Sequence, residues 1–521
     1  MFLEHLPLEL REFLSMPSTR TLLVHGGPGS GRTSLGLALA VASPGRKVFF
    51  SGRNPAQEVR RQFGWLAGPA GRDVEFLDES EALLSRPQHL RLGPTLPRPA
   101  GPGRRPSTPP PLPTKVQEAL PQGLRELLLR TNEATPTIVV LDSLEALLEH
   151  VQRGLSRGLS RPLGREDIAA MLLQGLSRTP AHFVLLSEST APDQTDYLVD
   201  GLVTLDERSV EGLPLRLLTV QKMRGAQRSH FRYPFTLDGG MFRTLSPWAP
   251  PPLSRVVLPE PEPASAASPA NSDGLWPGCR GYADFFGTLA PGRLTIIDQE
   301  STCPAEAGET MIYPMVAHVL GQGGQALFIP PPVTSPTEVW EMLQSTVPRE
   351  RLVEQLKIVV GKLEPALLDD HLSALTPLAA GPSGLGAGEE SEGVLVGGRT
   401  RSPSTLRRFL GSMAERPSTS LVVAELAGIE SLLSSLEGTP LSSGDLPVVL
   451  RRVLLRRGMH AVILGDGNDS RFRALRPIAH RELSVRLHEG QVYVYGVRPR
   501  TLLLGLSHGT GISPYELIRM A

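Results

Sequence analysis

Cysteine, lysine, aromatic side chains and net charge are all scarce in this 521-residue chain. The two cysteines, Cys279 and Cys303, cannot build a disulfide framework, and their spacing matches no zinc site. Lysine occurs only at Lys47, Lys115, Lys222, Lys357 and Lys362, so nearly all of the 53 basic residues are arginine. Arginine forms bidentate contacts with phosphate and carboxylate; the codon bias of a GC-rich genome produces the same excess without any chemistry. Basic and acidic residues number 53 each, so the formal net charge is zero and the bulk field selects neither nucleic acid nor an anionic membrane. No apolar run approaches the roughly 20 residues that span a bilayer. The N-terminus, Met1-Phe2-Leu3-Glu4-His5-Leu6, has an early acid and no basic n-region. It therefore does not read as a signal peptide, and a cytoplasmic location is expected.

What is present is an α/β rhythm that runs twice. The length calls for two or three domains. Leu6, Leu10, Phe13 and Leu14 fall at helical spacing, and apolar runs at Thr21–Val24, Lys47–Phe50, Thr137–Asp142 and His182–Leu186 read as strands alternating with helices. Two more strands are expected around Leu202–Leu205 and Leu215–Val220. That alternation implies βαβ units and a mostly parallel sheet. Residues 86–123, rich in Pro, Arg and Gly, read as a low-complexity insertion. A Pro/Ala/Ser stretch at 246–273 reads as a linker between a first domain, 1–245, and a second, 274–521. In the second, strands are expected at Leu294–Ile297, Ala326–Ile329, Leu421–Ala424 and Ala461–Leu464, a helix at Thr310–Leu320, a hairpin over Leu483–Val497 and a low-complexity loop at 384–404. The fold class expected is two tandem three-layer α/β domains, the second a diverged copy of the first.

Gly26-Gly27-Pro28-Gly29-Ser30-Gly31-Arg32-Thr33 follows the first strand and opens a helix, with Ser34 next. It satisfies G-x-x-x-x-G-K-[ST] except that arginine stands for lysine. Backbone N–H groups of such a turn curl around phosphates, and the helix N-terminus adds partial positive charge. Residues 26–34 are therefore candidate nucleotide contacts, with Thr33 and Asp142, at the end of its strand, as candidate Mg²⁺ ligands. Ser187, with Glu188 after it, stands at the end of the next strand where a γ-phosphate sensor is expected.

These features resemble the RecA/KaiC family of P-loop ATPases. Asp142-Ser143 followed by Leu144, Ala146 and Leu147 is similar to that family's second nucleotide motif, and Gln221-Lys222-Met223-Arg224-Gly225, with Phe235 and Gly239-Gly240 beyond, is similar to the Lys-Met-Arg-Gly segment of KaiC-like domains. The resemblance covers roughly residues 8–245. It implies ATP and Mg²⁺ as cofactors, and it implies that Lys222 and Arg224 act as fingers towards a neighbouring subunit's nucleotide; an exposed basic turn is the plainer alternative. Within the family, chain length, Phe63-Gly64-Trp65 and an arginine after the second strand resemble the archaeal gas-vesicle regulators of the GvpD type, which implies a regulator working through a protein partner. KaiC-like domains place a pair of glutamates after the second strand. Here Ser51-Gly52-Arg53-Asn54-Pro55 stands there, and no catalytic base is found. A general base contributes typically about 10²–10⁴-fold, so impaired hydrolysis is expected alongside nucleotide binding.

In the second domain, Cys303 to Thr310 is the segment in the place of the phosphate loop, with Glu309 matched to Arg32 after a connection several residues too long. No nucleotide is expected there. Glu425 follows its strand as Asp142 does, either as a relic or as an unrelated acid. The leading expectation is an ATP-binding regulator with weak or no hydrolysis, acting through a protein partner or a homo-oligomer. An active Mg²⁺-dependent ATPase working between subunits is the alternative. A recombinase-like protein is a third reading: arginine clusters such as Arg104-Arg105 and Arg451-Arg452 leave nucleic acid open, and the neutral net charge does not favour it.

Overall fold

Uninterrupted runs of Val, Ile, Leu and Phe, bounded by glycine or polar residues, form strands covered on both faces. In the computed structural model, which describes residues 3–17, 20–78, 112–131, 135–155, 163–190, 194–245, 247–249, 287–288, 290–331, 334, 336–360, 394–396, 403–508 and 515–520, the chain divides into two units. The first is Met1–Ser246 with Met520–Ala521, and the second is Pro247–Arg519.

The first unit contains β1 (Thr21–Gly26), β2 (Arg46–Ser51), β3 (Val74–Asp78), β4 (Thr137–Asp142), β5 (His182–Ser187), β6 (Gly201–Val210), β7 (Leu213–Met223), β8 (Arg232–Thr236) and β9 (Arg243–Thr244). They form one sheet in the order β3-β2-β4-β5-β1-β6-β7-β8-β9. Pairing is parallel from β3 to β6 and antiparallel from β6 to β9. Alternation along β1 divides the core: Leu22 and Val24 pack with helices Leu8–Ser15 and Arg32–Ala42, while Leu23 packs with Leu144–Leu155 and Arg165–Ser177 on the other face. The carboxyl ends of β1, β2, β4 and β5 lie side by side in register, which is where open α/β sheets bind ligands.

The second unit contains β10 (Leu294–Gln299), β11 (Gln325–Ile329), β12 (Leu356–Val360), β13 (Val394–Val396), β14 (Ser420–Glu425), β15 (His460–Gly465), β16 (Arg481–His488), β17 (Gln491–Arg498), β18 (Leu504–His508) and β19 (Tyr515–Arg519). Their order is β13-β12-β11-β14-β15-β10-β16-β17-β18-β19. With β10 set against β1 and the single additional strand β13 left aside, the two orders coincide, and antiparallel pairing begins at the same step. Two apolar clusters again cover the two faces. Both units are therefore three-layer α/β domains with mostly parallel sheets.

Four sequence readings need revision. Residues 112–123 are not part of a surface insertion: helix Thr114–Ala119 lies there, with Leu112, Val116 and Leu120 in the core, while residues 86–111 lie outside the described residues. Trp248, assigned to the linker, is buried in the second unit's core and donates its backbone N–H to Gly490 O at 2.9 Å. The helix expected at Thr310 begins at Ala305, because buried Ala307 continues the stripe of Met311 and Ile312 backwards. Within 384–404, Val394–Val396 forms β13 and a helix starts at Pro403; the rest lies outside the described residues.

Candidate nucleotide-binding site

Helix Arg32–Ala42 starts immediately after Gly31, whose φ of 95° is left-handed. A side chain there would be strained, and an added Cβ would lie 2.9 Å from Leu237 Cδ1. A Cβ on Gly26 would collide with Ser30 Oγ, whereas at Gly27 and Gly29 it would meet nothing within 4 Å. Residues 27–31 are thus tight at their base and open above, in front of the amino end of an 11-residue helix. Two polar atoms beside them, Ser30 Oγ and Arg32 Nη1, are buried without a hydrogen-bond partner. An open glycine turn with orphaned donors fits an anionic group such as a phosphate.

Thr33 Oγ1 donates to Asp142 Oδ2 at 2.8 Å. Burial pushes the Asp142 carboxyl above its usual range, and the Thr33 hydroxyl and the Arg32 guanidinium pull against it. A hydroxyl and a carboxylate beside a phosphate cradle form a hard oxygen donor set. Among the described residues no group of three or more His, Cys, Asp or Glu side chains forms a metal site by itself. A cation here would complete its shell with ligand oxygens and water, as Mg²⁺ does.

Ser187 is buried at the end of β5, and its hydroxyl donates to Glu145 Oε1 at 2.6 Å. The same oxygen accepts from Glu188 N at 2.9 Å. Glu188 Oε1 in turn lies 3.6 Å from Arg32 Nη2 and accepts a hydrogen bond from Arg53 Nη1. The Arg53 hydrogen bond, aided by Arg32, holds the Glu188 carboxyl below its usual range. Glu145 and the Arg53–Glu188 pairing escape a sequence reading, because the second joins residues 135 apart.

The finger candidates turn to their own chain. Lys222 Nζ donates to Asp196 O and Tyr197 O at 3.1 and 3.2 Å. Arg224 Nη1 reaches Asp200 Oδ1 at 3.2 Å and its Nη2 reaches Tyr197 O at 3.2 Å. Burial and the neighbouring Arg224 charge lower the Lys222 pKa. Asp196 Oδ1 lies 2.8 Å from the buried His25 Nε2 on β1, so one segment links the strand before the glycine loop to the basic pair.

In the second unit, strand register corrects the position of Glu309. Gln299 pairs with Val485 as Gly26 pairs with Leu205, and helix Ala305–Gly321 follows residues 300–304, a connection equal in length to 27–31. Glu309 therefore lies one turn inside the helix, not at the position of Arg32. It is buried, accepting from Tyr313 Oη at 3.1 Å and Thr334 Oγ1 at 2.5 Å. Burial pushes its carboxyl up to about 7. The equivalent loop, Glu300 to Pro304, contains no glycine, and the Gln299 amide donates to Pro304 O at 2.7 Å. The Gln299 side chain reaches over the start of this helix, where a Cβ on Gly308 would collide with its Oε1. Cys303 in this loop is a free buried thiol that burial pushes up to about 12. Glu425 occupies the register position of Asp142, but its carboxylate caps helix Leu426–Glu437 by accepting from Gly428 N at 3.1 Å.

Known proteins share sequence with the first unit. The family model described as "ATPase: KaiC" matches residues 13–243. The protein GvpD2 of Halobacterium salinarum is 26% identical over 246 residues, covering 47% of this chain and 45% of that protein. GvpD1 of the same organism is 25% identical over 244 residues, covering 46% and 41%. The chain thus matches less than half the length of either relative.

Proposed function

We propose, from the match of residues 13–243 to the KaiC-type ATPase family model and their resemblance to GvpD, that the domain binds ATP with Mg²⁺ and signals by the bound state rather than by turnover. Residues 26–34 would hold the phosphates, and Thr33 with Asp142 would hold the cation. A bound nucleotide would supply the anionic oxygens that these groups are placed to meet.

One observation carries the reading of weak hydrolysis. The turn after β2 presents Arg53, and the carboxylate paired to Arg32, Glu188, is held below its usual range by two guanidiniums. An arginine where the family's pair of glutamates would follow β2 offers no proton acceptor to an attacking water. The next acid, Glu145, uses its Oε1 to accept from Ser187 Oγ and Glu188 N, while its Oε2 is buried without a partner.

The resemblance to GvpD makes a regulator of gas-vesicle formation, acting on a protein partner or as a homo-oligomer in the cytoplasm, the specific form of this proposal. The second unit, with Gln299 in place of the first glycine, would serve assembly or partner binding. Among the described residues no helix is long and apolar enough to cross a membrane.

Nucleotide titration and phosphate release on the purified full chain test the proposal. Binding with turnover near background is expected, and Arg32→Lys is expected to preserve or raise turnover. Rapid Mg²⁺-dependent hydrolysis abolished by Arg224→Ala would replace this reading with that of an ATPase working between subunits.

A further inference from the structure

Three strand ends deliver three charges to one point. Arg32 comes from the glycine loop after β1, Arg53 from the turn after β2 and Glu188 from the turn after β5, and both guanidiniums address the same atom, Glu188 Oε1. The Arg53 turn is itself braced: Gly52 N donates to Asp142 O at 2.6 Å, and Ser51 Oγ donates to Asn54 O. The Glu188 turn is braced by Glu145. Arg53 and Glu188 are 45% and 35% exposed as side chains, and a pair so exposed adds little to stability. Folding does not account for a triad with this convergence. Arg32 adds a second sign of an absent partner, since its Nη1 is buried and unpaired.

We propose that Glu188 holds the place of a terminal phosphate: the γ-phosphoryl group of a bound triphosphate displaces its carboxylate from Arg32 and Arg53. Arg53 thereby becomes a binding residue specific to the triphosphate. The inference rests on the reading of residues 26–34 as a nucleotide cradle. A phosphate bears more charge than one carboxylate and offers three oxygens to planar guanidinium forks, so it outcompetes Glu188 where both reach. A diphosphate ends one phosphoryl group short and leaves the Arg53–Glu188 pair closed. The released Glu188 carboxylate is already partly hydrated, so its departure into water is not opposed by burial. The turn at 187–190 then differs between the two nucleotide states, which is the difference a partner protein could read.

The test compares binding of ADP and of a non-hydrolysable ATP analogue, both with Mg²⁺, by calorimetry on the full chain and on Arg53→Ala, Glu188→Gln and Arg61→Ala. Wild type should favour the triphosphate. Arg53→Ala should cut analogue affinity by roughly ten-fold or more, the scale of a lost charge-assisted hydrogen bond, and bring the ratio of the two affinities close to one. Glu188→Gln, which frees both guanidiniums, should raise analogue affinity several-fold. Arg61→Ala removes an arginine that is 82% exposed on the following helix and should leave the ratio at the wild-type value. Hydrogen exchange supplies a second readout: residues 187–190 should exchange faster with the analogue than with ADP. A well-folded Arg53→Ala protein, checked by thermal melting, that keeps the wild-type ratio overturns the inference. So does identical exchange at 187–190 under both nucleotides. Wild type that binds ADP without triphosphate preference overturns this inference alone, whereas wild type that binds neither nucleotide overturns the reading of the cradle as well.

Discussion

Thr33 Oγ1 and Asp142 Oδ2, 109 residues apart in sequence, share a 2.8 Å hydrogen bond that joins the helix after the glycine loop to the carboxyl end of β4. If this pair is the cation site, Thr33→Ala and Asp142→Asn should each abolish the strengthening of nucleotide binding by Mg²⁺, leaving weaker, metal-independent binding. Titrations with Mg²⁺ and with EDTA measure this, and undiminished Mg²⁺ dependence in both variants would place the cation elsewhere. A divalent ion also favours the ionised carboxylate, against the burial that raises the Asp142 pKa.

Asp200 separates structural from functional roles at the basic segment. Its Oδ2 accepts from Arg20 N at 2.9 Å, Thr21 N at 3.1 Å and Thr21 Oγ1 at 3.0 Å, and its Oδ1 meets Arg224. Asp200→Ala leaves two backbone donors at the start of β1 unpaired and should cost about 2–4 kcal/mol in urea unfolding of the first unit. Arg224 is 55% exposed, so Arg224→Ala should cost under about 1 kcal/mol. A large stability loss in Arg224→Ala would make that side chain structural and disqualify it as a finger.

Glu309 gives the second unit an alkaline-side weakness. Burial raises its carboxyl from 4.5 to about 7, so the fold prefers the protonated form. A raised folded-state pKa contributes stability below about pH 4.5 that is lost as pH rises through about 7. Glu309→Gln keeps one acceptor and one donor for Tyr313 and Thr334 and removes the titration. At pH 8 it should be more stable than wild type, by on the order of 3 kcal/mol, with the difference vanishing near pH 4.5. Hydrogen exchange in helix Ala305–Gly321 across that range measures it.

Glu9 has the opposite sign. Burial raises its carboxyl, but hydrogen bonds, including those from Tyr233 and from the Ser229 backbone and hydroxyl, outweigh burial and leave it below the usual range. Its Oε2 accepts from Tyr233 Oη at 2.7 Å and its Oε1 from Ser229 N at 2.7 Å. A lowered folded-state pKa contributes stability above the unfolded value near 4.5 that is lost as pH falls through the lower folded value. Glu9→Ala should destabilise the first unit by about 2–4 kcal/mol at pH 7 through the donors left unpaired, and the deficit should shrink in acid. A deficit that does not change with pH would show that Glu9 acts by packing alone.

Local physics made the strand–loop–helix at residues 21–42 readable from sequence. A buried β-run, a glycine turn that needs a left-handed residue at Gly31 and a helix with apolar spacing occupy adjacent positions, and each constrains its neighbour. Asp142 was legible for the same reason, since an acid ends an apolar run of β length. The duplication was legible as a rhythm, and its strand order required hydrogen-bonded register. Glu309 shows where motif matching failed. Gly308 and Thr310 resemble the ends of a phosphate loop, but the helix already runs through them, and pairing across β10 assigns the cradle to Gln299 and residues 300–304.

The sequence by itself determined two α/β domains, a glycine turn of phosphate-loop pattern in the first and the want of a glutamate after β2, because propensity, periodicity and turn chemistry act over a few residues. Only the tertiary structure decided that Arg53 and Arg32 meet on Glu188, that Lys222 and Arg224 are tied to the segment 196–200, and that Gln299 bonds across the equivalent loop of the second unit to Pro304 O. Those contacts depend on which strand ends the sheet order brings together, and charges far apart in the chain have no local signal to announce where they converge.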